Sequence, residues 1–178
     1  MARARRQHPP PTVSRPTLLQ RGSDDEFRRL IHDLIAYGHR LDACRDAFAA
    51  IIGVSGVQSE SVMLVSRVDG RSVGEVAARL HRSGAFITIE ANKLAKRGIL
   101  DKAPDPADGR RVLLKANART RRLVERLAPH QRRINDVLFA CLDARRFRQL
   151  RALAGDLVAC GDRAVAMLDL LVHEAQAA

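Results

Sequence analysis

Three helix-start signals follow one another closely in the middle of this 178-residue chain. Ser55-Gly-Val-Gln58 and Ser72-Val-Gly-Glu75 are capping boxes, in which a Ser oxygen accepts from a backbone amide while Gln or Glu reaches back to the helix start. Ser83 can cap a further helix, and Gly98 is placed to end it. The pattern predicts three short helices in succession.

The pattern of apolar residues changes after these helices. Residues 99–103 are typical of a short strand, 104–109 form a turn rich in Pro, Asp and Gly, and 112–114 are apolar again. This order predicts a β-hairpin with a charged tip. Asn117 can cap the helix that follows, and Pro129 is expected to kink or interrupt that helix because proline lacks an amide donor.

Long amphipathic helices flank the central stretch. A capping box at 23–26 starts the first, whose apolar residues recur at steps of three and four as far as Ile52, and Asp143 can cap the last. The apolar surface of these long helices exceeds what the three short helices and the hairpin can cover. This excess favours a helical homodimer interface. The predicted fold is mainly α with a small β-hairpin wing: a winged helix-turn-helix domain at 55–115, flanked by long dimerisation helices at 23–54 and 116–178.

The charge of the chain favours a nucleic-acid partner. The chain has 31 Lys plus Arg against 20 Asp plus Glu, a net charge of +11, with the surplus in residues 1–21 and 71–142. An apolar content of 46% excludes a wholly disordered basic protein, and an aromatic content of 3% disfavours a single-strand binder that stacks bases. These features are typical of proteins that bind duplex DNA through its phosphates. Residues 1–22, rich in Pro and Arg, predict a disordered basic arm.

The stretch from Ser72 to Thr120 resembles the MarR family of bacterial transcriptional regulators. The resemblance rests on the helix start at 72–77 with Leu80, on the segment 83–88, and above all on the D-x-R pattern of Asp108 and Arg110 in the segment 105–115. It implies a homodimer that places two recognition helices in successive major grooves of a pseudo-palindromic operator. It also implies a repressor that a small ligand, often aromatic or anionic, releases from double-stranded DNA.

The recognition helix of this arrangement is the one that Ser83 caps. Its outward residues are predicted to read bases, by apolar contact with thymine methyl groups and by hydrogen bonds from Thr88 or Asn92. Phe86 either takes part in that contact or packs against the neighbouring helix. Other basic residues are predicted to contact phosphates, and the wing arginines to lie beside the turn residue Asp108 in the minor groove. The predicted DNA-binding residues are Arg82, Ser83, Ala85, Phe86, Thr88, Ile89, Asn92, Lys93, Lys96, Arg110 and Arg111.

The sequence says less about a signal that such a regulator would sense. Arg45 lies on the apolar stripe of the first helix, where burial of its charge requires a partner. It can anchor an anionic ligand with Tyr37 or His39 nearby, form an ion pair with an acid of a partner subunit, or extend its head group to solvent. A redox-responsive regulator that uses Cys44 is a further alternative, although buried cysteines are usually inert.

Other function classes find little support in the sequence. Three cysteines without CxxC spacing, and no acid–histidine cluster, argue against a disulfide framework, a metal site or a cofactor. No phosphate loop or nucleophile motif indicates an enzyme. The apolar runs are too short to span a membrane and no secretory signal is visible, so we expect a cytoplasmic protein. The alternative from another class is a non-specific architectural DNA-binding protein.

Overall fold

A computed structural model describes residues 9–68 and 70–177 of the chain. It confirms the predicted class, mainly helical with a small antiparallel sheet. After a 3-10 turn at Pro16–Leu18, the elements in order are α1 (Asp25–Ile52), α2 (Gly56–Val65), β1 (Arg71–Ser72), α3 (Val73–Arg79), α4 (Gly84–Lys96), β2 (Leu100–Pro104), β3 (Val112–Ala116), α5 (Ala118–Leu138) and α6 (Ala144–Ala177).

Helix α1 begins one residue later than the sequence predicts. Asp24 is its N-cap residue, and the Ser23 hydroxyl only accepts from the Asp25 amide at 3.1 Å. The predicted capping box is wrong because Glu26 does not reach back to Ser23; its carboxylate pairs with Arg29 at 2.8 Å. At its other end, α1 stops at Gly53, whose φ of 72° is readily adopted only by glycine.

The segment before α1 is held against the start of that helix. The Asp24 carboxylate accepts from the Thr12 amide at 2.6 Å and the Thr12 hydroxyl at 2.7 Å, and Arg28 donates both to Asp24 at 3.0 Å and to the Pro10 carbonyl at 2.9 Å. Pro10 and Thr12 of the predicted arm are therefore bound to the start of α1, and the disorder predicted for 1–22 stays a prediction. Residues 1–8 of that predicted arm lie outside the described residues.

One apolar core joins the three short helices to the sheet. Helix α4 contributes Ile87 and Leu94, both fully buried, and β3 contributes Leu114. The three predicted Ser caps are present: Ser55 and Ser72 form full capping boxes, and the Phe86 amide donates to the Ser83 hydroxyl. The core side chains are Val62, Val65, Val76, Ala77, Ile87, Ala91, Leu94, Ile99, Leu100 and Leu114.

The wing is a three-stranded antiparallel sheet rather than a hairpin alone. β3 lies between β2 and β1, with Lys102 opposite Leu114 on one side and Arg71 opposite Leu114 on the other. The predicted hairpin is present, but β1 was not predicted because it has only two residues. This strand leads directly into α3 and so ties the wing to the helix-turn-helix.

Arginine side chains close the C-terminal ends of two helices. Arg126 donates to the Ile51 carbonyl at 2.8 Å and Arg97 to the Gly53 carbonyl at 2.7 Å, both at the end of α1. Arg119 donates to the carbonyl of Arg97, which caps α4, at 2.8 Å. The last carbonyls of a helix have no partner within it, and the helix dipole favours a cation there. Part of the basic surplus is therefore structural.

Helix α5 passes through Pro129 without interruption. Asn117 caps its start as predicted, accepting from the Arg119 amide at 2.9 Å and the Thr120 amide at 3.0 Å. Of the predicted kink or interruption at Pro129, the interruption does not occur, because the helix continues to Leu138. The helix continues because proline lacks only one amide donor. The turns before and after Pro129 keep their own backbone hydrogen bonds.

The described structure divides into two compact units. The first ends at Gln131, within α5, and the second begins at Arg132 and holds the end of α5 and all of α6. Asp143 caps α6 as predicted, because its carboxylate accepts from the Arg146 amide at 2.7 Å. Side chains 144–176 are all exposed, including many large apolar ones.

We expect S72A to lower the free energy of unfolding by about 1–2 kcal/mol and S83A by about 0.5–1 kcal/mol. Both substitutions remove a helix cap, but Ser72 is buried and also holds Glu75 and Arg111 through its hydroxyl. Urea denaturation of the two variants measures the difference. An S83A variant less stable than S72A would contradict this account of the Ser72 network.

Candidate nucleic-acid interface

Helix α4 has a buried inner face and an exposed outer face. Its buried residues are Ile87, Glu90, Ala91 and Leu94. Phe86 is 41% exposed and Ile89 54% exposed, so the structure favours the outward position of Phe86 over packing against a neighbouring helix. The predicted contact residues at and before this helix are all exposed: Arg82, Ser83, Ala85, Phe86, Thr88, Ile89, Asn92, Lys93 and Lys96.

The polar groups of the outer face have partners within the fold. The Thr88 hydroxyl donates to the Gly84 carbonyl at 2.8 Å, and Lys102 of β2 donates to the side-chain oxygen of Asn92 at 2.8 Å. Lys102 thus joins the wing to α4, a contact that the sequence did not predict. The alternation of side chains along β2 does not indicate this contact, because it places Lys102 on the same face as the buried Leu100.

Glu90, on α4, is a second residue whose role the sequence did not predict. Its carboxylate accepts from Lys93 at 2.6 Å and from the Gln58 side chain at 2.7 Å. The hydrogen bond from Lys93 lowers the pKa of Glu90 below its ordinary value and outweighs the opposing effect of burial. Gln58 also accepts from the Ser55 amide, so one side chain links the cap of α2 to the recognition helix. The sequence signal that was available for Glu90 is its position: it is an acidic residue three positions after the core residue Ile87.

Asp108 organises the tip of the wing, as its predicted turn role requires. Its carboxylate accepts from the Arg110 amide at 3.1 Å and its carbonyl accepts from the Arg111 amide at 2.8 Å. The Arg110 side chain is 95% exposed, with its guanidinium 3.4 Å from the Asp108 carboxylate. Arg110 therefore projects from a fixed turn and is accessible to a partner.

Arg111 differs from Arg110 in its surroundings. Its guanidinium donates to the Ser72 hydroxyl at 3.1 Å and lies 3.9 Å from the Asp105 carboxylate. Arg111 is thus bound to the start of α3 while Arg110 projects from the tip, and the prediction that both arginines contact DNA stays a prediction. Beside it, a cleft of about 330 Å³ separates the wing from α4; it is lined in part by Ser72, Gly74, Thr88, Lys102 and Arg111.

The structure also gives Arg45 its partners. Its guanidinium lies 2.9 Å from Asp42 and 3.4 Å from Asp46 on α1, and 3.9 Å from Glu60 on α2. These acids belong to the same chain and balance the charge of Arg45; the ion pair with a partner subunit and the role of Arg45 as a ligand anchor stay predictions. Tyr37 and His39 lie on the same helix, Tyr37 half-buried and His39 exposed.

Several other types of site are absent from residues 9–68 and 70–177. No group of three or more His, Cys, Asp or Glu side chains in these ranges could hold a metal ion. The three cysteines are free thiols: Cys44 is half-buried, and Cys141 and Cys160 are exposed. Within the same ranges no single helix is long and apolar enough to cross a membrane; α1 and α2 reach that composition only together, across a bend of 78°.

Comparison with known families agrees with this geometry. Residues 52–111, from the end of α1 to the wing, match the model of the MarR family. The winged unit is similar to that of MarR-family regulators. The resemblance predicted from the D-x-R wing and the capped helix starts is confirmed. No curated protein sequence matches the chain.

Solved MarR-family structures share the fold beyond the matched segment. A MarR protein from Peptoclostridium difficile is 17% identical with a TM-score of 0.63, covering 82% of this chain and 93% of its own. A MarR regulator from Methanosarcina mazei is 18% identical, with a TM-score of 0.61 and coverages of 76% and 98%. The regulator PcaV from Streptomyces coelicolor, solved with its natural ligand, is 26% identical, with a TM-score of 0.54 and coverages of 72% and 90%. The chain thus shares the fold of these solved MarR-family structures.

We expect the free energy of unfolding of E90Q to depend less on pH in the acid range than that of the wild type. Because the pKa of Glu90 is lower in the folded than in the unfolded chain, its stabilising contribution is present above its ordinary value of 4.5 and is lost as pH falls below it. Wild-type stability should fall more steeply than that of E90Q between about pH 5 and pH 3. Urea denaturation across that range measures both slopes, and parallel curves would contradict the assignment.

Proposed function

We propose that this chain is a sequence-specific regulator of transcription that binds double-stranded DNA as a homodimer. The observation that carries the proposal is the pairing of two exposed elements: the outer face of α4 and the projecting Arg110. An α-helix fits the major groove of B-DNA, and arginine is favoured in a narrow minor groove by its enhanced negative potential. Such a regulator works in the cytoplasm, where bacterial DNA lies.

The roles of the individual side chains follow from their positions. Phe86 and Ile89 present apolar surface suited to thymine methyl groups, and Asn92 lies beside them on the outer face. Lys96 and Arg82 suit the phosphates on either side, while Lys93 and Lys102 are positioned by Glu90 and Asn92. The cleft beside Arg111 suits a phosphate that passes between the recognition helix and the wing.

The homodimer in this proposal rests on exposed apolar surface. Large apolar side chains on α1 and α6 remain exposed in the single chain, which is unfavourable unless another surface covers them. A two-fold dimer matches a pseudo-palindromic operator, with half-sites one turn of DNA apart, about 34 Å. The exposed apolar residues of these two helices include Leu30, Leu34, Ile35, Leu41, Phe147, Leu150, Leu157, Leu168 and Leu171.

The proposal includes repression relieved by a small ligand. Binding across a promoter excludes other proteins from it, and PcaV, which shares the fold, was solved with its natural ligand. A thermal-shift panel of aromatic carboxylates tests this part: a ligand that raises the melting temperature should also release DNA in a gel shift. The acids around Arg45 give no support to that residue as the ligand's anchor.

Arg110→Ala should weaken binding to a promoter fragment by about 10- to 100-fold at fixed salt. Arg110 is the exposed guanidinium of the wing, whereas Arg122 is an exposed arginine of α5 outside the interface. Arg122→Ala is the matched control, because it removes the same charge and should leave affinity nearly unchanged. Gel-shift titration measures both variants, and equal affinities for R110A and wild type would exclude the wing from the interface.

Competition with an excess of bulk DNA distinguishes a sequence-specific regulator from the alternative, a non-specific architectural DNA-binding protein. A sequence-specific regulator keeps its promoter fragment in the presence of unlabelled genomic DNA, because specific sites bind about 10³-fold or more tightly than bulk DNA. A non-specific architectural protein loses the fragment in proportion to the competitor. Loss of that kind would favour the architectural function.

A further inference from the structure

The side-chain amide of Asn92 is held in one orientation by a lysine of the wing. Asn92 lies on the exposed outer face of α4, and the Nζ of Lys102, an exposed residue of β2, lies 2.8 Å from its Oδ1. An ammonium group has three donors and no acceptor, so the atom of Asn92 that it contacts has to be the oxygen. The amide nitrogen, which can only donate, is therefore the group that Asn92 offers to a partner outside the fold.

The position of Asn92 on α4 suits contact with a base. It lies on the same outer face as Ile89, which is 54% exposed, whereas the buried residues Ala91 and Leu94 lie on the opposite side of the helix. Three residues of helix separate Ile89 from Asn92 by about 4.5 Å along the axis, close to the spacing of about 3.4 Å between stacked bases. The two side chains therefore reach neighbouring base pairs.

The contact with Lys102 limits the bases that Asn92 can recognise. A free Asn side chain pairs with adenine through two hydrogen bonds, in which its nitrogen donates to N7 and its oxygen accepts from the N6 amino group. Lys102 takes one lone pair of that oxygen and places a positive charge beside the other. The amino group of adenine would meet this charge, as would the amino group of cytosine, so both bases are disfavoured.

Guanine has the complementary edge in the major groove. Its N7 and O6 are both acceptors, so the two N–H groups of the Asn92 amide have partners there and the positive charge of Lys102 lies beside lone pairs. Thymine offers one acceptor, O4, next to a methyl group. A donor-only amide beside a cation therefore selects guanine over the other three bases.

We propose that Asn92, positioned by Lys102, recognises a guanine in each half-site of the DNA. The inference rests on the proposed function and adds the identity of one base that α4 selects. Lys102 is a positioning residue in this proposal, because its hydrogen bond to the Asn92 oxygen determines which group of the amide faces the base.

Selection of DNA from a random pool by the full-length wild type and its variants tests the proposal. The wild type should select guanine at one position of each half-site, and N92A should lose the preference at that position alone, which identifies it. K102M has no donor, so the amide can turn and pair with adenine. Gel-shift titration should show that the wild type prefers guanine over adenine there by about fivefold or more, and that the preference in K102M falls to about onefold.

Two further lysine variants separate positioning from charge. K102R still donates to the Asn92 oxygen and should keep the preference for guanine. K96M is the matched control, because Lys96 is an exposed lysine of the same helix face. Its loss should weaken binding to all sequences alike and leave the base preference unchanged.

A modified base tests the same contact with the wild-type protein, whatever the stability of the variants. 7-Deazaguanine lacks the N7 acceptor, and at the selected position it should lower affinity by about 2- to 10-fold. The same substitution at a guanine outside the half-sites should have no effect.

Guanine at the position that N92A no longer selects, together with acceptance of adenine by K102M, supports the proposal. Adenine at that position in the wild-type selection overturns it, as does unaltered selection by N92A, an unchanged preference in K102M, or full affinity for the 7-deazaguanine site. The absence of any common sequence among the DNAs selected by the wild type overturns the proposed function itself. Failure of the base assignment, with a common sequence still present, is thus distinguishable from failure of the proposed function.

Discussion

Burial of the inner face of α4 is the constraint on which the rest of the structure depends. Ile87 and Leu94 are fully buried with Val62 of α2, Val76 of α3 and Leu114 of β3 in one core. A helix has one rotation that buries this stripe, so the same packing determines which residues face outward. The Glu90–Gln58 hydrogen bond and the Lys102–Asn92 contact then set the helix relative to α2 and the wing. The face that we propose to bind DNA is thus a consequence of how the core packs.

The net charge of +11 divides between structure and surface. Arg97, Arg119 and Arg126 satisfy carbonyls at the ends of α1 and α4, and Arg45 balances three acids. Arg110, in contrast, remains almost wholly exposed on a turn that its acid neighbour fixes. Arginine suits both roles because its planar group donates several hydrogen bonds and stays charged. The total charge of the chain therefore indicates the class of its partner. The positions of the individual arginines indicate which surface is available to that partner.

Local features of the fold were predictable from sequence, and long-range ones were not. The caps at Ser55, Ser72 and Ser83 depend on residues three positions apart, so the pattern contains the interaction. Contacts such as Gln58–Glu90 and Ser72–Arg111 join residues distant in sequence, and no local pattern records them. The start of α1 was mispredicted for the same reason, because distant Thr12 is bound to the N-cap residue Asp24. Exposure of the predicted contact residues of α4 followed from helical periodicity, whereas the different surroundings of Arg110 and Arg111 required the wing's three-dimensional structure.

The central claim is that two copies of α4 and the wing read duplex DNA at fixed positions. Hydroxyl-radical footprinting on DNA selected from a random pool by the wild-type protein tests it most directly. The account predicts two protected half-sites, related by a two-fold axis and centred about one helical turn, or 10 base pairs, apart. Protection spread evenly over the duplex, or no common sequence among the selected DNAs, would contradict it.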